Sequence, residues 1–232
     1  TVCLLKGEFT MTLLNERHVL VVYPHPDDEA FSVAGTVRLL RNAKVPVTYA
    51  CLALGEMGRN LGNPPIATRE SLPEIRRQEL MNACVSMGIE DLRMMGLRDK
   101  MIEFEDDEKM VKLVTDLIDE LNPSLIFTFY PGYAVHPDHE ATARAVVEAV
   151  RRIPSESRPR VYGVAFANNT VAELGAPPIS IDVSSVKAAK IDALRAHASQ
   201  TAWMMAESAK REEGTPMSDS WLNVEHFYEI TF

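Results

Sequence analysis

The sequence is short of three things. Cysteine occurs three times in 232 residues, at Cys3, Cys51 and Cys84, an odd number with no CxxC spacing. That excludes a disulfide framework. Cys51 and Cys84, each in an apolar or helical stretch, are read as small buried hydrophobes rather than nucleophiles or ligands. A reducing, cytoplasmic compartment is expected from this usage. Basic residues are also scarce, with 24 Lys and Arg against 33 Asp and Glu and a net charge of −9. This balance excludes general binding to nucleic-acid phosphates or to anionic membranes, which need a basic face. A few local arginines would still suffice for a small anionic substrate. Long hydrophobic runs are missing, and none approaches the ~20 residues that span a bilayer. The first ten residues, TVCLLKGEFT, lack the apolar core of a signal peptide. The chain does not begin with Met. Met11 is read as the natural start, residues 1–10 as a cloning-derived or read-through extension, and one domain is expected over residues 11–232.

Apolar residues make up 46% of the chain, and a chain of this length buries roughly 70% of its unfolded surface without staples. Short β-branched runs alternate with helical periodicity. Strands are expected at His18–Tyr23, Val45–Leu54, Leu92–Met95, Ser124–Tyr130, Arg160–Ala167 and Ser180–Val183. Helices are expected at Glu29–Asn42, Leu72–Met87 (ended by Gly88), Asp106–Leu121, Asp138–Arg152 and Ser184–Ala198. Strands that are continuously apolar, rather than alternating, and that are separated by helices predict a parallel sheet covered on both faces. The fold class is therefore α/β, a Rossmann-like, doubly wound, mostly parallel sheet in three layers. Ligands in such folds sit beyond the carboxyl ends of the strands. Two chemistry-bearing clusters fall there: His25-Pro26-Asp27-Asp28-Glu29 after the first strand, and His136-Pro137-Asp138-His139 after the fourth. The long polar stretch from Gly55 to Ser71 has the composition of a functional loop at the same edge.

Imidazole and carboxylate together suit a divalent metal such as zinc, whose catalytic sites use three protein ligands. His25 and Asp28, three apart at a strand-to-helix turn, converge on one point. A histidine of the second cluster would complete the set, and spacing alone leaves open which one. Asp27 and the other histidine then have the identities of a general base and of an acid or oxyanion stabiliser. Each cluster alone would more often be a solvated loop. What favours a metal site is that both follow parallel strands.

Pro-His-Pro-Asp-Asp-Glu with a later His-Pro-Asp-His resembles the PIG-L (LmbE-like) family of zinc-dependent N-acetylglucosamine deacetylases. Further matches are Gly55-Glu56-Met57-Gly58-Arg59, Arg76-Arg77-Gln78-Glu79-Leu80 with Ala83 and Gly88, Gly96-Leu97-Arg98-Asp99, and His197-Ala198-Ser199-Gln200. The resemblance spans residues 18–200, and within the family it is strongest to the bacillithiol-biosynthesis deacetylases, which act on N-acetylglucosaminyl-malate. It implies one Zn²⁺ per chain, or Fe²⁺ in its place, held by His25, Asp28 and His139. It implies Asp27 as general base and His136 as the charged oxyanion partner and general acid, oriented by Asp138. Arg59 would contact substrate hydroxyls or the anionic aglycone, and Asp99 a sugar hydroxyl. The sequence departs from the family at Pro24, where Ala or Gly is common. Tyr133 lies one residue further from His136 than the mobile oxyanion tyrosine of some relatives, which leaves its substrate contact open.

Glu29 is read as a helix-start carboxylate or a support of the site. Arg76 and Glu79 fit a plain helical pair or a brace equally well. His18 starts a strand, His226 is a surface residue, and His197 is structural. The acidic run Glu103–Glu108 is a solvated helix start. Trp203, Met204 and Met205 suggest core or a subunit contact, and with the family resemblance they imply a homo-oligomer. The expected reaction releases acetate and a glucosamine. Competing readings are a deacetylase of another N-acetylglucosamine conjugate such as a chitooligosaccharide, a two-metal phosphoesterase, and a non-catalytic carbohydrate-binding relative.

Overall fold

A computed structural model describes residues 13–209 and 220–232, so the reading of residues 1–10, of Met11 as the start, and of Cys3 lies outside the described residues. Among the described residues, seven strands form one sheet in the order β3-β2-β1-β4-β5-β7-β6. β1 (Val19–Tyr23), β2 (Val47–Ala53), β3 (Asp91–Leu97), β4 (Leu125–Phe129) and β5 (Arg160–Val164) are mutually parallel. β7 (Val224–Glu229) lies antiparallel between β5 and β6 (Ile179–Asp182). The parallel core explains the unbroken apolar runs. Along β1, Val19, Val21 and Tyr23 enter one hydrophobic core while Leu20 and Val22 enter the other, and all five are fully buried.

One face is covered by α2 (Ala34–Asn42), α3 (Leu72–Met87) and α7 (Lys187–Ala196), through residues such as Val37, Leu40, Leu80, Met87 and Leu194. The other is covered by α4 (Asp107–Leu121) and α5 (Pro137–Arg151), through Val111, Val114, Val146 and Val150. The local signals behave as physics requires. Asp106 caps α4 by accepting from Lys109 N at 2.9 Å, and Gly88 ends α3 at φ 80°, a left-handed position cheap only for glycine. Cys51 and Cys84 are buried, and burial pushes both thiols up, consistent with an inert role.

Three departures from the sequence reading have tertiary causes. The helix expected over Glu29–Asn42 is two, α1 (Asp28–Ser32) and α2, broken at Val33 (φ −136°). The second start is capped from far away: Glu225 accepts from Gly35 N at 2.9 Å and Thr36 N at 2.8 Å. The helix expected over Ser184–Ala198 stops at Ala196, and α8 (Ala198–Ala209) follows a break at His197. Two short helices, α6 (Thr170–Leu174) and α9 (Ser220–Asn223), and the strand β7 are absent from the sequence reading. β7 is hard to read because it carries a glutamate into the core.

Glu225 also pairs with Lys190 Nζ at 2.8 Å, and both side chains are 1% exposed. Breaking a buried pair strands the surviving charge. Glu225→Ala should therefore cost about 3–5 kcal/mol of stability. Glu225→Ala with Lys190→Met should recover part of that loss. Urea unfolding of the single and double variants checks this, and a single variant as stable as the parent would show that the pair contributes nothing.

Candidate metal and active site

The strand order reverses between β1 and β4, which are paired neighbours. A doubly wound sheet opens its crevice at that reversal. Both clusters leave the sheet there, and they line a cleft of about 480 Å³ with Gly58, Arg59, Arg76 and Lys100. The clusters are 111 residues apart in sequence (His25 to His136), yet the His25 and His136 ring centroids are 5.1 Å apart and those of His25 and His139 5.3 Å.

Outer hydrogen bonds decide which ring nitrogens face inward. His25 Nε2 lies 3.1 Å from Asp138 Oδ2 and 3.1 Å from Asp99 Oδ1. Carboxylates only accept, so Nε2 carries hydrogen and Nδ1 is left as the ligand atom. It lies 3.6 Å from Asp28 Oδ2. His139 Nδ1 donates to Ala134 O at 3.2 Å, which leaves Nε2, 3.3 Å from Asp28 Oδ1. The His139 ring is stacked on Phe129 at 4.1 Å between centroids and 11° between planes. Two rings fixed by outer partners thus present one nitrogen each to one carboxylate, the arrangement by which proteins pre-orient metal ligands. Electrostatics agree. Burial opposes charge on His25, but Asp138, Asp28 and Asp99 hold its pKa well above the ordinary value. A site that favours a proton so strongly is one that accepts a cation in its place.

Ring nitrogens of His25, His136 and His139 all come within 4.8 Å of one another. His136, however, accepts from Asp138 N at Nδ1, 3.1 Å. In the neutral ring its hydrogen is then on Nε2, which makes His136 a hydrogen-bond donor to the cleft rather than a ligand. Burial, together with His25 and His139, pushes its pKa down. The second close group, His25 with Asp99 and Asp138, is already accounted for by hydrogen bonds. Asp138 accepts from His25 and from Lys100 N at 2.7 Å, and Asp99 accepts from Met57 N at 2.8 Å.

The adjacent aspartates are driven apart. Burial alone would raise Asp28, but His139 and His25 hold it well below the usual carboxylate range. Burial, offset in part by Arg76 and reinforced by Asp28, pushes Asp27 up to about 6. Two neighbouring carboxylates with opposed environments are suited to different tasks. Asp27 also has an unusual backbone, φ 99°, a region costly for any residue with a Cβ. It is held there from both sides. Its N–H donates to Glu29 Oε2 at 3.0 Å, and Arg76 donates to Asp27 Oδ2 at 3.0 Å and to Pro26 O. Arg76 also donates to Gly55 O at 2.9 Å. A Cβ on Gly55 (φ 63°) would lie 1.7 Å from Arg76 Nη1, so only glycine lets the guanidinium through.

Several expectations drawn from the sequence change here in substance. Asp138 orients His25 with its carboxylate, and meets His136 only through its main-chain N–H. Asp99 is 4% exposed, lines the cleft, and its carboxylate also braces His25 and the Met57 main chain. Tyr133 turns away, donating to Glu173 Oε2 at 2.8 Å. Arg76 and Glu79 are a brace and not a helical pair, since Glu79 accepts from Ser199 N at 2.6 Å and Oγ at 2.7 Å. His197, fully buried, contacts Glu29 Oε1 at 2.5 Å. His226 is an exposed residue beside Ser180, as expected. Trp203 is 55% exposed. Two features escaped the sequence reading: Lys100 on the cleft wall, and Phe166, whose ring is 5.9 Å from His139. Lys100 stands directly after the Asp99 motif and could have been noticed. Phe166 carried no signal.

Residues 20–150 match the family described as PIG-L, GlcNAc-PI de-N-acetylase. The chain belongs to the PIG-L family. It is 52% identical over 219 residues, 94% of this chain and 97% of the relative, to a protein of Bacillus anthracis named probable N-acetyl-alpha-D-glucosaminyl L-malate deacetylase 2. Among solved structures it is similar to N,N'-diacetylchitobiose deacetylase of Pyrococcus horikoshii, with TM-score 0.71, 22% identity, and coverage of 97% and 90% of the two chains. It also shares the fold of GalB, the 4-carboxy-2-hydroxymuconate hydratase of Pseudomonas putida, with TM-score 0.69, 19% identity, and coverage of 93% and 97%. A hydratase on the same scaffold shows that the fold does not choose the reaction, which has to be argued from the site. Among the described residues, no helix is long and apolar enough to cross a membrane.

Proposed function

We propose that this PIG-L deacetylase removes the N-acetyl group of N-acetylglucosaminyl-malate, the step its family resemblance places in bacillithiol biosynthesis, with zinc at His25, Asp28 and His139. The observation that carries the reading is the pair of pre-oriented histidine nitrogens facing Asp28, with Asp27 beside it and left out of that set. A bound divalent ion would polarise the acetyl oxygen and lower the pKa of water.

The chain's own groups do the proton work. Asp27, positioned by Arg76 and Glu29, accepts a proton from the attacking water, and an acidity near 6 suits a base at neutral pH. His136, whose Nδ1 accepts from Asp138 N, offers Nε2–H to the developing oxyanion, and burial with His25 and His139 lowers its pKa. A neutral ring whose Nδ1 is already an acceptor is a poor acid. The proton taken by Asp27 is therefore the one returned to nitrogen as the C–N bond breaks. Acetate and the free amine leave. Arg59, exposed on the cleft rim and without an ion-pair partner among the described residues, would hold the carboxylate end of the substrate.

Purified protein with added zinc, assayed for amine release from N-acetylglucosaminyl-malate, free N-acetylglucosamine and diacetylchitobiose, tests the reading. The malate conjugate should have the highest kcat/KM, and Arg59→Ala should lower that value more than the value for a neutral N-acetylglucosaminide. A preference for diacetylchitobiose would favour the chitooligosaccharide reading, and no turnover on any of the three would favour the carbohydrate-binding one.

A further inference from the structure

Lys100 lines the same cleft as Arg59, is exposed, and has no ion-pair partner among the described residues. Two other cations beside the cleft are committed. Arg76 is buried against Asp27, and Arg69 donates to Gly58 O at 2.5 Å.

The loops that carry Arg59 and Lys100 are tied to each other. Met57 N donates to Asp99 Oδ2 at 2.8 Å, and Asp99 N donates to Glu56 Oε1 at 3.0 Å. This reciprocal pair joins the Gly55–Arg59 loop to the Asp99-Lys100 loop. Lys100 is further anchored by its own N–H, which donates at 2.7 Å to Asp138, the carboxylate that holds His25. Its φ is 61°, a position seldom taken by lysine, and this turn leaves the side chain on the cleft wall. Both cations line one cleft, and neither is in a salt bridge among the described residues. One is a guanidinium suited to bidentate carboxylate binding and the other a point-charge ammonium. Together they match a ligand with two carboxylates.

We propose that Lys100 is a substrate-binding, specificity-determining residue that receives the second carboxylate of a dicarboxylate aglycone, with Arg59 receiving the first. The proposal rests on the malate reading above. A hydrogen bond to a charged group contributes about 1.5–3 kcal/mol, or roughly 10–100-fold in binding. The experiment measures kcat/KM for the malate conjugate, for a conjugate with a single carboxylate, and for the methyl N-acetylglucosaminide, with wild type, Lys100→Gln and Lys100→Arg. Wild type should prefer the dicarboxylate over the monocarboxylate. Lys100→Gln should lower that preference roughly 10–100-fold, mainly through KM, while Lys100→Arg should retain most of it. Unfolding midpoints and metal content matching wild type report that each variant is folded. If wild type prefers the malate conjugate and Lys100→Gln keeps the whole preference, Lys100 has no such role and the malate reading stands. If wild type shows no preference for the malate conjugate, both readings fall.

Discussion

Asp27→Asn is expected to retain close to one metal ion per chain while turnover falls by on the order of 10²–10⁴, the usual share of general acid–base catalysis. The reason is a division of labour between neighbours. Asp28 faces the two inward histidine nitrogens at 3.3 and 3.6 Å, whereas Asp27 faces Arg76 and keeps 21% of its side chain exposed. The substitution is close to isosteric. Asn also tolerates a positive φ better than most residues, so the strained backbone at 99° should survive. The amide oxygen can still accept from Arg76. What is lost is the basic oxygen. Metal analysis beside steady-state kinetics separates the outcomes, and a variant that loses its metal together with its activity would sink the assignment of Asp27 as a base.

His139→Ala is expected to do the opposite, losing metal affinity and activity together, with partial recovery at high added zinc. Removing the ring leaves two of the three proposed ligands and takes away the partner of Phe129. His25 remains oriented by Asp138 and Asp99, and Asp28 still accepts from the His25 main-chain N–H at 2.9 Å, so excess metal should restore part of the occupancy. Titration of zinc into the metal-free variant and wild type, followed by binding heat and by activity, measures both quantities. Unfolding curves of the metal-free forms give the packing loss separately. A His139→Ala protein that bound zinc as tightly as wild type would move the third ligand elsewhere, with His136 the next candidate by distance.

Much of the frame was legible from local pattern. Unbroken apolar runs marked parallel strands, Gly88 and Asp106 marked helix ends, and the two His-Asp clusters fell at the carboxyl edge. Charged residues inside the protein defeated the same reasoning. β7 hides behind Glu225 and His226, and Glu225 is buried only because Lys190 and the start of α2 meet it. Periodicity treats such a glutamate as surface. The helix broken at Val33 and the helix ended before His197 have the same origin, since each break serves a partner that no local window contains.

By itself the sequence determined the doubly wound layer, the strand ends that carry the chemistry, and the residue types available there, because these follow from spacings of two to five residues. Only the tertiary structure decided who faces whom. His197 reaches Glu29 across 168 positions, and Glu225 reaches Gly35 across 190. Asp138 and Asp99 turn to His25, Tyr133 turns to Glu173, and Lys100 joins Arg59 at one cleft. Such pairings are set by sheet order and by the register of loops across the β1–β4 reversal. A side chain's identity limits what it can bond, but burial and the nearest partner in space decide what it does bond.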